Sequence, residues 1–565
     1  MEDTLIASPG NPPTPFLVRS VCHGIGVLLL AVLGACSPGE NNVERGNREG
    51  VLYLGNGSEP QTIDPHVLSG SPEARVARAL FEPLLTRNPY TEAIEPGVAE
   101  RWKFSDDKRF LTFYLNPEAR WSNGDPVTAE DFYWSWERAI NPALASSLAN
   151  VYFIIRNAED YHLGKIDDFS RVGVEVLDSH TLRVELAYPY PFALNNFAYI
   201  YMAPIHRKSV EAAGGKTRRY SAWTRPGKLI GNGPFQLADW KIQRYLTVEQ
   251  NLHYWDRDNI ALKSIVFRPI ASAATEEKMF RSGQLHATLL LPNNKTPSYR
   301  AQTESPLQES AQMASYYYAL NGNTAPLNDR RVRRALALAI DRETLASTVL
   351  MDTMIAWGGY VPVGMPGYDH PEPLGFAPDE ARRLMADAGF PDGDGFPRLS
   401  LLYNTDENHR TIAVAVQQMW KTHLNIDIEL QNQEWQVYLS AVREGNFSIA
   451  RRGWNGDTTP DSFLDYMVSD SIINVTGFAN ELYDDLVVRR ARETGDVDAL
   501  MALYQEAERI LLDEAPIIPI ATYTAKRLVQ PSTTGMHGRI VDVYNYKYVS
   551  LDPTAKAWQW QKPEP

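Results

Sequence analysis

Hydrophobic positions along the chain switch repeatedly between a period of two and a period near 3.6. Val51-Leu52-Tyr53-Leu54 opens the first strand, and Ser58-Glu59-Pro60-Gln61-Thr62-Ile63-Asp64-Pro65 reads as an ordered loop behind it. Leu111-Thr112-Phe113-Tyr114-Leu115 and Thr181-Leu182-Arg183-Val184-Glu185-Leu186 alternate as half-buried strands do. Helical spacing marks 72–81, 128–139, 329–339, 378–388, 409–423 and 497–512, with Gly389 ending the fourth. Strand 399–403, helix 409–423 and strand 427–430 together resemble a βαβ unit. Strands and helices mix from end to end, so the expected class is α/β (mixed α+β), with layers of both kinds. No fixed-period repeat and no low-complexity tract is present.

One apolar stretch does not fit that scheme. Gly24–Ala35 is 12 residues long and runs into Leu33-Gly34-Ala35-Cys36. That is short of the roughly 20 residues a membrane-crossing helix needs. It has the form of a bacterial lipoprotein export signal over residues 1–35, in which small residues admit a peptidase and the Cys36 thiol takes a lipid. The acidic, Pro-rich lead Met1–Phe16 is unusual for such a signal and places the expected start near Leu17 or Val18. Residues 36–50, polar and without periodicity, read as a tether.

Charge and cysteine content narrow the chemistry. About 530 residues follow the signal, too many for one hydrophobic core. The net charge of −14 repels nucleic acid and anionic lipid in the absence of a basic stripe. The densest basic run, Arg330-Arg331-Val332-Arg333-Arg334, opens an amphipathic helix and reads as its solvated face. Cys22 and Cys36 are the two cysteines, which excludes a disulfide framework and a cysteine-ligated metal from the mature chain. Hydrolase, zincin and P-loop signatures are missing, and the histidines lack metal-ligand spacing. Asp392-Gly393-Asp394-Gly395 lacks the later acidic ligand of a calcium loop and reads as a turn. A binding protein without cofactor or metal is therefore expected rather than an enzyme.

Five blocks carry a more specific resemblance. They are Gly97-Val98-Ala99-Glu100-Arg101-Trp102 running on to Trp121–Phe132; Asn328–Leu336 ending at Ala339-Ile340-Asp341-Arg342; Leu402-Tyr403-Asn404-Thr405 to His409 with Asn432-Gln433-Glu434-Trp435; Phe447–Asp457; and Ile518-Pro519-Ile520 with Tyr523 and Arg527-Leu528-Val529. In order and spacing the chain resembles the bacterial extracytoplasmic solute-binding proteins for oligopeptides, family 5, the receptors of peptide ABC importers. The resemblance implies a two-lobed periplasmic-binding-protein clamshell with an extra third domain. Lobe I would be discontinuous (37–71, 192–312 and 525–565), the extra domain 72–191 and lobe II 313–524. It further implies an oligopeptide ligand, a permease with its ATPase subunits as partners, attachment to the membrane through Cys36, and a monomer in the periplasm or cell envelope.

By the same resemblance, Asp457 holds the ligand α-ammonium, which suits a carboxylate in a dry cleft. Arg451 meets acidic ends, and His409 the ligand C-terminus. Trp435 and Trp454 cover ligand side chains, Tyr317 and Tyr523 bond backbone or line pockets, and Glu59 sits at the rim. Alternation puts Tyr316 and Tyr318 on the other strand face from Tyr317. The chain also departs from the pattern. Ala314 and Asn455 stand where enterobacterial members carry a cysteine pair, and Trp134 replaces a pocket tyrosine. Leu290 and Leu350 replace an asparagine and a carboxylate-binding lysine, so a more apolar pocket is expected there, and Arg452 replaces a small residue. The amino-terminal anchor is kept while the reading of the carboxyl terminus is altered. The same architecture accommodates two alternatives: a murein-peptide receptor for cell-wall recycling, and a tethered peptide-binding chaperone or sensor.

Overall fold

The computed structural model describes residues 40–561 apart from 69, 472 and 537–543, and leaves the side chains of Glu407, Trp435 and Gln436 outside the description. The chain divides into Met1–Asn41 and Asn42–Pro565. The expected export signal and Cys36 fall outside the described residues. Among the described residues no helix is long and apolar enough to cross a membrane.

Part of the expected tether is ordered. Asn42–Glu49 forms a helix with Val43 fully buried. Val43 N donates to Gly283 O at 2.9 Å, Asn47 Nδ2 donates to Ala555 O at 2.9 Å, and Asn47 Oδ1 lies 3.2 Å from His286 Nε2. One apolar residue and one amide hold a helix too short to carry a readable period, and tertiary partners decide it.

Three main sheets follow. Val51–Gly55, Ser264–Arg268, Tyr245–Gln250 and Phe235–Lys241 form a four-stranded sheet in that order, the first pair parallel. Ala99–Phe104, Phe110–Leu115, Thr181–Glu185 and Val174–Asp178 form an antiparallel meander-like sheet on its own core, which includes Phe113, Trp121 and Trp136. The largest sheet has six strands in the order Met354–Ala356, Ile517–Leu528, Leu307–Leu320, Ile449–Asn455, Leu399–Asn404, Ile428–Gln433. The expected βαβ unit is its edge: Leu399–Asn404 and Ile428–Gln433 are parallel, joined through helix Glu407–Leu424.

Both faces of the six-stranded sheet are covered, and alternation sorts its side chains. Tyr316, Tyr318, Leu401, Ile449 and Ile518 enter one core, while Tyr317, Leu402, Ala450 and Ile517 enter the other. The strands Leu307–Leu320 and Ile517–Leu528 pair along most of their length, with a break in register between Ala311 and Ser315. Their far ends reach a small cluster of Phe280, Leu291, Tyr299, Leu528 and Trp558 beside the first sheet.

The arginine run is not simply a solvated face. Helix Arg330–Leu338 packs Arg330, Arg333 and Arg334 on the C-terminus of helix Val497–Glu514, while Arg331 turns to Asp329 and the Asp387 carbonyl. Arg330 Nε donates to Asp513 O at 2.8 Å, Arg333 Nη2 to Glu514 O at 2.6 Å, and Arg334 Nη1 to the Asp513 carboxylate at 3.0 Å. Cations there satisfy the last helical carbonyls and oppose the negative end of the helix dipole.

Candidate ligand-binding site

Where strand Ile449–Asn455 ends, the chain turns sharply into helix Asp461–Leu464. Gly456 makes the turn possible, since a Cβ there would lie 2.4 Å from the Phe463 ring and 2.6 Å from Ser462 Oγ. Asp457 N donates to Ser462 Oγ at 2.8 Å, and Ser462 Oγ in turn bonds to Thr459 O at 2.6 Å. These bonds fix the direction of the Asp457 side chain. Its Oδ1 accepts from Thr458 N at 2.7 Å and from Arg87 Nη2 at 3.2 Å, and its Oδ2 accepts from Tyr199 Oη. Arg87 ends the short strand Leu85–Arg87, 370 residues earlier in sequence, and its other nitrogen donates to Thr458 Oγ1 at 3.3 Å. The Asp457 and Arg87 side chains are each 12% exposed, so this ion pair is largely withdrawn from water.

The pair faces a cavity of about 950 Å³, lined by Arg87, Tyr199, Asn455, Asp457, Asp461 and Asp465 among others. Tyr188, Tyr190, Tyr466 and Arg492 close another part of its wall. Asp461 Oδ2 accepts a 2.7 Å hydrogen bond from Tyr190 Oη, whereas its Oδ1 is buried without a hydrogen-bond partner. Burial, reinforced by the charge of Asp457, pushes the Asp461 carboxyl up. Burial and the nearby Asp461 push Asp465 well above the usual carboxylate range. Glu82, also on the wall, is pushed up to about 7 by burial, although Tyr254 and Trp255 both donate to it.

The expected site residues divide into three groups. Asp457 and Asn455 line the cavity, with Trp454 immediately behind them, donating from Nε1 to Ser462 O at 2.8 Å and tilted against the Tyr466 ring. Arg451, His409 and Tyr523 form a second cluster farther up the strand. Arg451 donates to Tyr523 Oη and its guanidinium lies 4.8 Å from the centre of the Tyr316 ring. His409, in the first turn of helix Glu407–Leu424, stands 5.6 Å from Tyr316 ring to ring; burial and the Arg451 charge push it down to about 4.

The remaining residues are placed elsewhere. Tyr317 is 4% exposed and packs edge-on against Tyr360, because both faces of its strand are covered. Trp134 is buried in the core beneath the four-stranded sheet. Leu350 also enters a core, so the apolar character expected around it is that of packing. Glu59 accepts from Trp240 Nε1 at 2.6 Å and from Gln243 N at 2.9 Å, which ties down its loop and keeps it off the cavity wall. Trp435 opens helix Trp435–Arg443; its side chain lies outside the described residues. Ala314 and Asn455 are direct partners in register on neighbouring strands. Among the described residues no group of three or more His, Cys, Asp or Glu is arranged to hold a metal ion.

Sequence reasoning missed Arg87, Tyr199, Asp461, Asp465 and Arg492. Nothing local marks Arg87 or Tyr199. The carboxylates at 461 and 465 do stand four residues apart just behind Pro460, a readable sign of one helical face.

Residues 93–474 match the family model for bacterial extracellular solute-binding proteins, family 5 Middle. The chain belongs to that family. Family 5 relatives include the periplasmic murein peptide-binding protein MppA of Escherichia coli, 37% identical over 84% of this chain and 88% of that protein. The periplasmic oligopeptide-binding protein OppA of Salmonella typhimurium is 34% identical over 86% of this chain and 90% of its own. Among solved structures, the unliganded open form of MppA covers 89% of this chain and 97% of its own at a TM-score of 0.76 and 35% identity. Haemophilus influenzae OppA in complex with the peptide RPPGFSPFR covers 89% and 99% at 0.73 and 31%. The fold is accordingly the two-lobed α/β one of these family 5 binding proteins.

Proposed function

We propose that the chain is the peptide-binding receptor of an ABC importer, which encloses an extended oligopeptide between two lobes and holds its α-ammonium on Asp457. The observation that carries the reading is the Asp457 carboxylate itself. It faces a cavity large enough for a short peptide, is largely withdrawn from water, and already accepts from a guanidinium and a hydroxyl, donors of the kind an α-ammonium supplies. A ligand ammonium replaces Arg87 there. From Asn455 back to Arg451 is four residues of extended strand, roughly 13 Å, the span of an extended tri- to tetrapeptide. Arg451, His409 and Tyr523 at that distance would receive the carboxyl end.

Strand-like backbone hydrogen bonds and contacts from both lobes would stabilise the closed form, which then docks on the permease; the ATPase subunits supply the energy. Lobe boundaries are proposed at 37–71, 192–312 and 525–565 for lobe I, 72–191 for the extra domain and 313–524 for lobe II. Anchoring through a lipidated Cys36 in the periplasm and a monomeric state complete the proposal. The murein-peptide reading has the 37% identity to MppA in its favour and uses the same amino-terminal anchor.

Calorimetry with a tripeptide and its N-acetylated form tests the anchor. The free amine should bind at least about tenfold tighter, as a charge-assisted hydrogen bond in a dry site implies. Equal binding of the two forms overturns it.

A further inference from the structure

The four large apolar cores fall into two sets with no buried member in common. One set draws on residues 52–287 and 529–549, the other on residues 313–521. Strands Leu307–Leu320 and Ile517–Leu528 run from one set to the other, and their pairing breaks register between Ala311 and Ser315. These are two packed bodies joined at one side, and the cavity wall takes residues from both. Arg87 belongs to the first body: its strand Leu85–Arg87 pairs with Ile94–Pro96, and Leu84 and Leu85 are fully buried in that body's core. Among the described residues, however, the hydrogen bonds of the Arg87 side chain all go to the second body. Nη2 donates to Asp457 Oδ1 at 3.2 Å and to Oδ2 at 3.3 Å, and Nη1 to Thr458 Oγ1 at 3.3 Å. Tyr199, also of the first body, donates to the same carboxylate, and Tyr190 donates to Asp461 Oδ2 at 2.7 Å. Both Asp457 oxygens are thereby occupied, Oδ1 additionally by Thr458 N at 2.7 Å. A forked guanidinium contact on a carboxylate whose other lone pairs are satisfied is the geometry in which pairing offsets desolvation. Its partners are all groups of this chain, and it forms only while the two bodies are together.

We propose that Arg87 is an internal latch, which pairs with Asp457 across the cavity and holds the two bodies closed on each other without peptide. Opening, rather than closing, is then the step that admits a ligand. The latch itself does not depend on the receptor reading; its release by a peptide rests on that reading, with the α-ammonium taking Asp457. A peptide binds with its intrinsic affinity reduced by the fraction of molecules whose Asp457 is unlatched. The latch therefore sets a threshold that a weakly held ligand does not pass.

Small-angle scattering of the wild-type protein, Arg87→Ala, Asp457→Asn and the double variant tests the latch, each first without peptide. Wild type should already have the radius of gyration that it shows with saturating Ala-Ala-Ala. Arg87→Ala should be larger without peptide and return to the wild-type radius with it, its closed-to-open ratio having fallen at least about tenfold. Asp457→Asn should expand the protein as much, and the double variant no further, because either change removes the same pair. Equal radii for wild type and Arg87→Ala without peptide overturn the latch, as do expansions that add in the double variant. So does a wild-type radius that falls when the tripeptide binds, a result that needs no variant to fold. Calorimetry on the same samples reports whether Ala-Ala-Ala binds. If it does not, the receptor reading is overturned, and the peptide-free radii still decide the latch.

Discussion

The two ends of strand Ile449–Asn455 carry opposite charges in opposite settings. Upstream, Arg451 is embedded among tyrosines, donates to Tyr523 and stacks over Tyr316, with His409 held neutral beside it. Downstream, Asp457, Asp461 and Asp465 line the cavity, and Asp457 and Asp461 take donors from segments hundreds of residues away in sequence: Arg87 and Tyr199 for the first, Tyr190 for the second. The first cluster is completed mainly inside the six-stranded sheet and its helices. The second is completed across the cavity. Arg451 Nε and His409 Nδ1 remain buried without a hydrogen-bond partner, whereas Asp457 has its cation already in place from across the cavity. At the downstream end a ligand cation therefore has to compete with a cation already present, and at the upstream end a ligand anion does not.

Removing the downstream anchor should have the largest effect. Asp457→Ala should weaken binding of a free tripeptide by about 3–5 kcal/mol, because it leaves both the ligand amine and Arg87 in a dry site without an anion. Titration calorimetry reads this directly, and a loss under tenfold would place the anchor elsewhere. Arg451→Met should act on the other end. It should erase the difference between a free-carboxylate peptide and its amide, at about 1.5–3 kcal/mol, while the preference for a free over an acetylated amine persists. If both preferences move together, the two clusters are not separate.

Arg87→Ala should shift affinity the opposite way from Asp457→Ala. With no guanidinium to displace, peptide binding should strengthen by up to about tenfold, the scale of one largely buried charge-assisted bond. Weaker binding would mean that Arg87 stays in the complex and touches the ligand.

The smallest effects are pH slopes of stability, and the two regions should differ in sign. His409 is depressed to about 4, so it binds protons in the unfolded chain before it does so in the folded one. Its contribution is present above about 6.5 and lost as pH falls towards 4. Glu82 is raised to about 7, so its contribution is present below about 4.5 and lost as pH rises through 7. Denaturant midpoints between about pH 4 and 7 should therefore show His409→Gln removing a rise of stability with pH and Glu82→Gln removing a fall. A change of slope of the same sign in both would refute the assignment.

Much of this architecture was legible in the chain. The periods that predicted strand 111–115 and helix 378–388 give Phe110–Leu115 and Pro378–Asp387, and the βαβ edge is where it was expected. Asp457 and Asn455 also fall on the cavity. The rest depended on contacts between distant residues. Tyr317 alternates correctly with Tyr316 and Tyr318, but alternation distinguishes the two faces of a strand and cannot say that both are covered. Trp134 sits on a helix whose inward face is core. Arg330, Arg333 and Arg334 read as solvated because the helix end they cap lies more than 160 residues away.

Local periodicity, turn chemistry and the order of the five blocks determined the element types and the family, because each depends on neighbours within a few residues. Which charges share the cavity was decided by the tertiary structure. Arg87 reaches Asp457 across 370 positions, and an ion pair depends on distance in space through a medium whose polarity the fold itself creates.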